Sequence, residues 1–483
     1  MNYKWTALTV TTIGTFMAGL DIRIVIIGLP TIARELHAGA AEVVWITQAY
    51  VLASSVSLLL IGRISDLHGR VKLFILGFVI FTVGSALSSL ALDPLQLIAF
   101  RVLQGFGSAF LTTNSVAIIT DVSPKNELGT LLGINQTAFR VGGVFGLTLS
   151  GLILSIVDWR GLFYVNIPIG IFAIIWAKRR LREIPIDNPV KKLDWIGFTI
   201  FCSGLTLVLV AITYLSYGIS GSSEGAVFLL TGAILLVTFV WIESKTPHPI
   251  LDLALFKIRL FVTGNIAQLL NSLVWAGLTL LIAFYLQVGL GYTPLQAGLG
   301  ILPLDGTYLF SSLLGGKLSD KYGSRSLSTL GLVVITSGLI IISTFGLSTQ
   351  YLQIALVIAV MAIGNGLFTA PNNRAIMSSV PPNRRGIASG FRQTMFNTGT
   401  ALSYGLIVLF ITFGIPYAAF SNLLQSSGVL SASFSVARLQ FVNGFRIAAM
   451  LLAIIDAIAI IPSAMRGLNE MKQERDTEEK QAS

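Results

Sequence analysis

Charge is what this chain has least of. Only 11% of its 483 residues are Asp, Glu, Lys or Arg, where a soluble globular protein carries about 25%. So thin a polar supply cannot cover an aqueous surface. It excludes a conventional soluble enzyme, a disordered chain and a nucleic-acid-binding module. Cysteine is scarcer still: Cys202 stands alone, which excludes an intramolecular disulfide and any thiolate-based metal site. The three histidines, His37, His68 and His248, are widely separated. HExxH, GxSxG and GxxxxGK[ST] are all missing, and with them the signatures of metalloprotease, serine hydrolase and P-loop ATPase. No cofactor and no metal are expected. If the chain moves a solute uphill, a proton gradient must supply the energy.

What it has instead is long apolar runs, 54% of the residues being hydrophobic. About 20 such residues in a helix cross the roughly 30 Å of bilayer hydrocarbon. By that measure fourteen spans are predicted, near 6–30, 43–62, 73–92, 95–120, 131–157, 161–178, 193–215, 223–242, 261–289, 294–316, 326–346, 350–373, 387–414 and 441–465. The first is a retained helix and not a signal peptide, because its apolar run is too long and Asp21 interrupts it. With the N-terminus inside, the inner connections collect Arg63, Arg70 and Lys72, the run Lys178, Arg179, Arg180, Arg182, Lys191 and Lys192, and Lys317, Lys321 and Arg325. Outer connections hold only Arg34, Arg160 and Arg438. Basic residues favour the cytoplasmic face, so both termini are expected in the cytoplasm of a prokaryotic cell. The excess of positive charge, +10 overall, belongs to those loops and to lipid headgroups, with no nucleic acid implied.

An eight-residue pattern recurs. After the second span the sequence reads Gly62, Arg63, Ile64, Ser65, Asp66, then Gly69, Arg70 and Lys72; after the tenth it reads Gly316, Lys317, Leu318, Ser319, Asp320, then Gly323 and Arg325. The shared form is G-x-[IL]-S-D-x-x-G. Two copies eight spans apart imply a repeated six-helix half with two helices inserted between, an all-α membrane protein of 6 + 2 + 6 helices. The expected division is 1–180, 181–255 for the linker and inserted pair, 256–466, and a charged tail over 467–483. Glycines permit the tight turn, and Gly62, Asp66, Gly69, Arg70, Asp320 and Gly323 are read as a cytoplasmic gate.

These residues resemble the major facilitator superfamily, specifically its fourteen-span drug:proton antiporter branch, along essentially all the spans. The two loops are similar to that superfamily's signature between helices two and three. LIAFRVLQGFGSA at 97–109 resembles its helix-four motif, and LDIRIVIIGLP at 20–30 its helix-one motif L-D-x-T-I-V-x-x-x-L-P. WITQAYVL at 45–52, LDWIG at 193–197, and the stretch from Pro371, Asn372 and Asn373 to Gly390 resemble further segments in the same order. Arg23 stands where the helix-one motif has Thr. The helix-five run from Gly133 to Gly151 keeps the glycine spacing and lacks the usual Pro and one Gly. That motif is associated with direction of exchange. The resemblance implies a major facilitator fold whose two halves alternate access, and export of lipophilic or cationic organic compounds against protons. A proton-linked importer or metabolite carrier is the first rival; a non-transporting sensor or scaffold is the second. A monomer is expected.

Charges inside spans cost about 2.5–3.5 kcal/mol each, so each is a functional candidate. Asp21 lies about 13 Å below the outer end of its span and Arg101 about 10 Å below that of the fourth. At matched depth they form a candidate proton site, with Asp21 as carrier and Arg101 holding it; a permanent packing pair is the alternative. Arg23, two residues on, points away from Asp21. Arg140 would favour an anion, from the protein or the solute. Asp305, near the midplane, would attract a cation, carry a second proton, or pair with Arg23 or Arg140. Asp456 is a weaker candidate. Arg392 and Arg446, near span ends, are expected to snorkel to the interface. Asn114, Gln136, Gln268, Asn271, Trp275, Tyr308 and Asn365 are the expected lining of an amphipathic pocket for a small organic molecule.

Overall fold

The computed structural model describes residues 3–124, 127–184, 194–246, 253–381, 385–426 and 432–466. Its helices are α1 (Tyr3–Glu35), α2 (Ala40–His68), α3 (Arg70–Ser89), α4 (Pro94–Val122), α5 (Leu128–Ile156), α6 (Gly161–Tyr164), α7 (Asn166–Arg180), α8 (Trp195–Ser216), α9 (Ser222–Glu243), α10 (Arg259–Phe284), α11 (Pro294–Tyr322), α12 (Ser324–Ile342), α13 (Tyr351–Ser378), α14 (Arg385–Ile411), α15 (Tyr417–Gln425) and α16 (Ala432–Ala464). Among the described residues, fourteen segments are long and apolar enough to cross a membrane, α6 and α7 together making the sixth and α10 running on through a π-turn to Gly289. The architecture is the expected 6 + 2 + 6. The side that carries the lysine- and arginine-rich connections, with Tyr3 and Arg466, is called the basic side below.

The repeated loops are the tight turns α2–α3 and α11–α12. Each turns on a glycine with positive φ, Gly69 at 102° and Gly323 at 79°, a region that L side chains rarely adopt. The first copy has a second reason for glycine. Glu183, arriving after α7, accepts from the N–H groups of Val71 and Lys72, 3.1 Å each, and so caps α3. A β-carbon on Gly69 would meet that carboxylate at 2.8 Å. Beside it Arg70 pairs with Asp121 of α4. The side chains of Asp66 and Asp320 lie outside the described part, as do His248 and the tail 467–483.

Backbones touch where glycines remove the side chain. On α5, a β-carbon on Gly142 would sit 2.3 Å from the Phe16 carbonyl oxygen and one on Gly146 2.6 Å from that of Leu20, so α1 and α5 lie in direct contact. Of the helix-five glycines, Gly142 and Gly146 therefore form a packing seam with α1. The inserted helices α8 and α9 pack on each other, and α8 leans on α2 and α14, the second and thirteenth spans: Trp45 Nε1 donates to Thr213 Oγ1 at 2.9 Å, and Gly405 faces Ile212. The outer flank of α9, with Val227, Leu230, Ile234 and Val237, is exposed and apolar, a surface for lipid.

The two six-helix halves meet tightly on one side only. Far from the basic side, Gly151 and the Leu147 carbonyl of α5 press on Leu295 and Gly298 of α11. Continuing along the same face of α5 toward the basic side, Gly133 and Gln136 are exposed, and no atom lies within 4 Å of where a β-carbon on Gly133 would sit. The α2–α14 seam behaves alike: Gln48 touches Gly405 and Ser55 bonds Thr398 at 3.2 Å, whereas nothing approaches Gly390. Among the described residues, the molecule is open on its basic side.

A short amphipathic helix, unforeseen in the sequence, seals the other side. Tyr417 Oη and Ser421 Oγ on α15 each accept from the first turn of α2, from Ala41 N and Ala40 N, at 3.0 Å. Gln425 donates to the carbonyls of His37 and Ala38 at 3.3 and 3.0 Å. The second half thus caps a helix of the first.

Candidate functional site

Asp21 is completely buried on α1, and every group facing its carboxylate is a donor. Arg101 Nη1 donates to Oδ2 at 2.5 Å; Gln104 Nε2 and Asn166 Nδ2 donate to Oδ1 at 2.7 and 2.9 Å. Arg101 is also fully buried. Its Nε donates to the Ile46 carbonyl at 3.1 Å, and its guanidinium lies over the Tyr50 ring, 4.2 Å from the centroid, a cation–π contact. Gln104 passes the network on, donating to Ser85 Oγ at 2.7 Å. Helices α1, α2, α3, α4 and α7 converge here, all from the first half.

A second cluster lies across the halves. Arg23 Nη1 donates to Thr279 Oγ1 of α10 at 2.8 Å, and its Nη2 stands 3.9 Å from Asp305 Oδ1 of α11. Of the roles open to Asp305, this geometry is that of pairing with Arg23. Arg140 of α5 lies over the Tyr308 ring, 4.5 Å from its centroid, and Tyr308 packs on Trp275 at 5.8 Å. Arg392 is partly buried on α14; it donates to Asn373 Oδ1 of α13 and to Gln393 Oε1 at 3.3 and 3.4 Å, and its charge acts on Arg140. Arg446 donates to the Phe345 carbonyl just past the end of α12, at 2.7 Å, where the helix dipole favours a cation.

The remaining candidates disperse. Gln136 is exposed on the open face of α5, one turn from Arg140. Asn114 donates to Phe110 within α4 and Asn365 accepts from Thr369 within α13, so both serve their own helices. Asn271 is buried on α10. Gln268 accepts from Asn372 at 3.4 Å, and Asn372 in turn receives Arg466 near the basic side. Asp456 bonds Thr336 at 2.8 Å, within the α12–α16 seam.

The profile of the Major Facilitator Superfamily matches residues 11–404 and 264–461. The chain belongs to this superfamily. Among its relatives is the riboflavin transporter RibZ of Clostridioides difficile, 30% identical over 86% of this chain and 90% of that one. The multidrug transporter protein MdtP of Bacillus subtilis is 27% identical over 82% and 73%. A bacterial homologue of the human lysosomal transporter Spinster, solved inward-facing and occupied, superposes with a TM-score of 0.71 over 96% of both chains at 16% identity. That likeness shows the fold.

For this superfamily member the partners of Asp21 are only half legible. Asp21 and Arg101 stand out as charges in lipid. Gln104 and Asn166 do not, because an uncharged amide is a weaker anomaly. The one available signal is that Gln104 follows Arg101 by three residues and so shares its helix face.

Proposed function

We propose that this transporter is a proton-coupled exporter of lipophilic organic compounds, cationic ones included. It works by alternating access in a prokaryotic cell membrane, as a monomer, with the basic side and both termini in the cytoplasm. The observation that carries the reading is the sealed Asp21–Arg101–Gln104–Asn166 cluster. The molecule is open on its basic side while Asp21 faces only donors. That is the state in which an antiporter has given up its proton and accepts solute from the cytoplasm. Opening the other side would have to bend α1 or α4 within the first half, so that Arg101 loosens and Asp21 takes a proton from outside. The multidrug relative supports the solute class, and no chemical step is assigned to the chain.

Asp21→Asn in proteoliposomes tests it. Exchange of labelled for unlabelled solute should persist, while accumulation driven by a pH gradient should fall to background. Gradient-driven accumulation at the wild-type level would refute the role of Asp21. The riboflavin-transporter relative and the missing helix-five proline favour a second reading, a carrier for one metabolite working inward. Accumulation assays in vesicles of known polarity separate the two.

A further inference from the structure

The charges beside the open face of α5 do not balance. Arg140 lies in the field of one further cation, Arg392, and of one carboxylate, Asp305, and that carboxylate also faces Arg23 at 3.9 Å. Arg140 Nη1 is buried with no hydrogen-bond partner among the described residues, its guanidinium resting on the Tyr308 ring. Arg392 is held by two amide oxygens and by no acid among its hydrogen-bond partners. Arg392 acts on Arg140 more strongly than Asp305 offsets, and two cations so placed raise each other's energy, the more so away from water. A structure keeps such a pair when a negative group arrives to complete it, as in the forked arginine recognition of carboxylates. Next to the pair lie Tyr308 and Trp275, an aromatic wall for an apolar body, and the exposed amide of Gln136.

We propose that Arg140 and Arg392, with the Tyr308–Trp275 wall beside them, form a seat for the acidic group of an amphipathic organic anion, a lipophilic body carrying one carboxylate. This rests on the transport reading above and narrows its solute class: within a broad range of lipophilic compounds, acids are held best. Arg140 reads the charge directly, while Arg23, 3.9 Å from Asp305 Oδ1, offsets part of the repulsion from that carboxylate, whose Oδ2 has no hydrogen-bond partner among the described residues. The solute carboxylate accepts hydrogen bonds from the guanidinium groups, and no bond is made or broken.

The test is binding to the purified full-length chain in neutral detergent, read by calorimetry with three probes of one shape: 1-pyrenebutanoic acid, its methyl ester, and 4-(1-pyrenyl)butylamine. The acid should bind at least about tenfold more tightly than the ester, a preference of roughly 1.4 kcal/mol, with the amine weakest. Arg140→Gln and Arg392→Gln should each erase most of that preference and shift the ester less than about threefold, while Arg140→Lys keeps part of it. Equal binding of the acid and ester by the wild type overturns the proposal, and needs no variant to fold. So does a loss in Arg140→Gln that is the same for all three probes. Transport is scored separately. If the acid preference holds but no probe is carried uphill in proteoliposomes, the export reading fails and the anion seat stands. If the ester and amine are carried and the acid is not preferred, the seat alone fails.

Discussion

At the scale of residues, Asp21 and Arg101 depend on each other unequally. Arg101 keeps the Ile46 carbonyl, Gln104 Oε1 and the Tyr50 ring if Asp21 becomes Asn. Asp21 keeps no cation if Arg101 becomes Gln. Breaking a buried pair by removing one partner costs about 3–5 kcal/mol, and that range should apply to Arg101→Gln, with Asp21→Asn well below it. Thermal unfolding in detergent checks the order, and equal losses would contradict it. The pair was readable because charge inside an apolar run is conspicuous and depth can be counted at a fixed rise per residue. Depth does not give azimuth. Counting alone offers Asp305 two partners, Arg23 and Arg140, and only the packing of α11 brings it alongside Arg23.

At the scale of elements, the α1–α5 seam predicts a contrast between two glycines of one helix. Gly142→Val must push its β-carbon against backbone at Phe16, where no side chain can yield. Overpacking of this kind costs about 1–3 kcal/mol or more. Gly133→Ala enters open space and should stay within about 0.5 kcal/mol of wild type. Unfolding temperatures of the two variants decide it. The closing helix α15 yields a second expectation. Tyr417→Phe with Ser421→Ala removes both acceptors from the first turn of α2, and a lost cap is worth about 0.5–2 kcal/mol. Gln287, on the π-turn that ends α10, donates to the Ile27 carbonyl of α1 across the closed side at 3.2 Å; with Cys202 replaced by Ser, Gln287→Cys should label faster in that double variant, and an unchanged rate would count against a sealing role. Spans were legible because a run of some 20 apolar residues has few other uses. At nine residues α15 is too short for that signal, and only its contacts with α2 give it meaning.

At the scale of the whole molecule, closure on one side and opening on the other is what alternating access requires of a single state. The 6 + 2 + 6 plan came from the repeated loop, since two copies eight spans apart fit no simpler arrangement. Which side stands open was beyond the sequence, because both conformations are built from the same helices and differ only in which ends touch. The energy supply also belongs at this scale. One charge moved through about 100 mV is worth roughly 2.3 kcal/mol, enough for a solute gradient of about fiftyfold per proton. The decisive measurement is uphill accumulation by the reconstituted wild-type chain, followed while an ionophore pair collapses the pH and voltage gradients together. Proton coupling through Asp21 predicts that the accumulated solute runs back to equilibrium. Accumulation that continues undiminished after the collapse would contradict it.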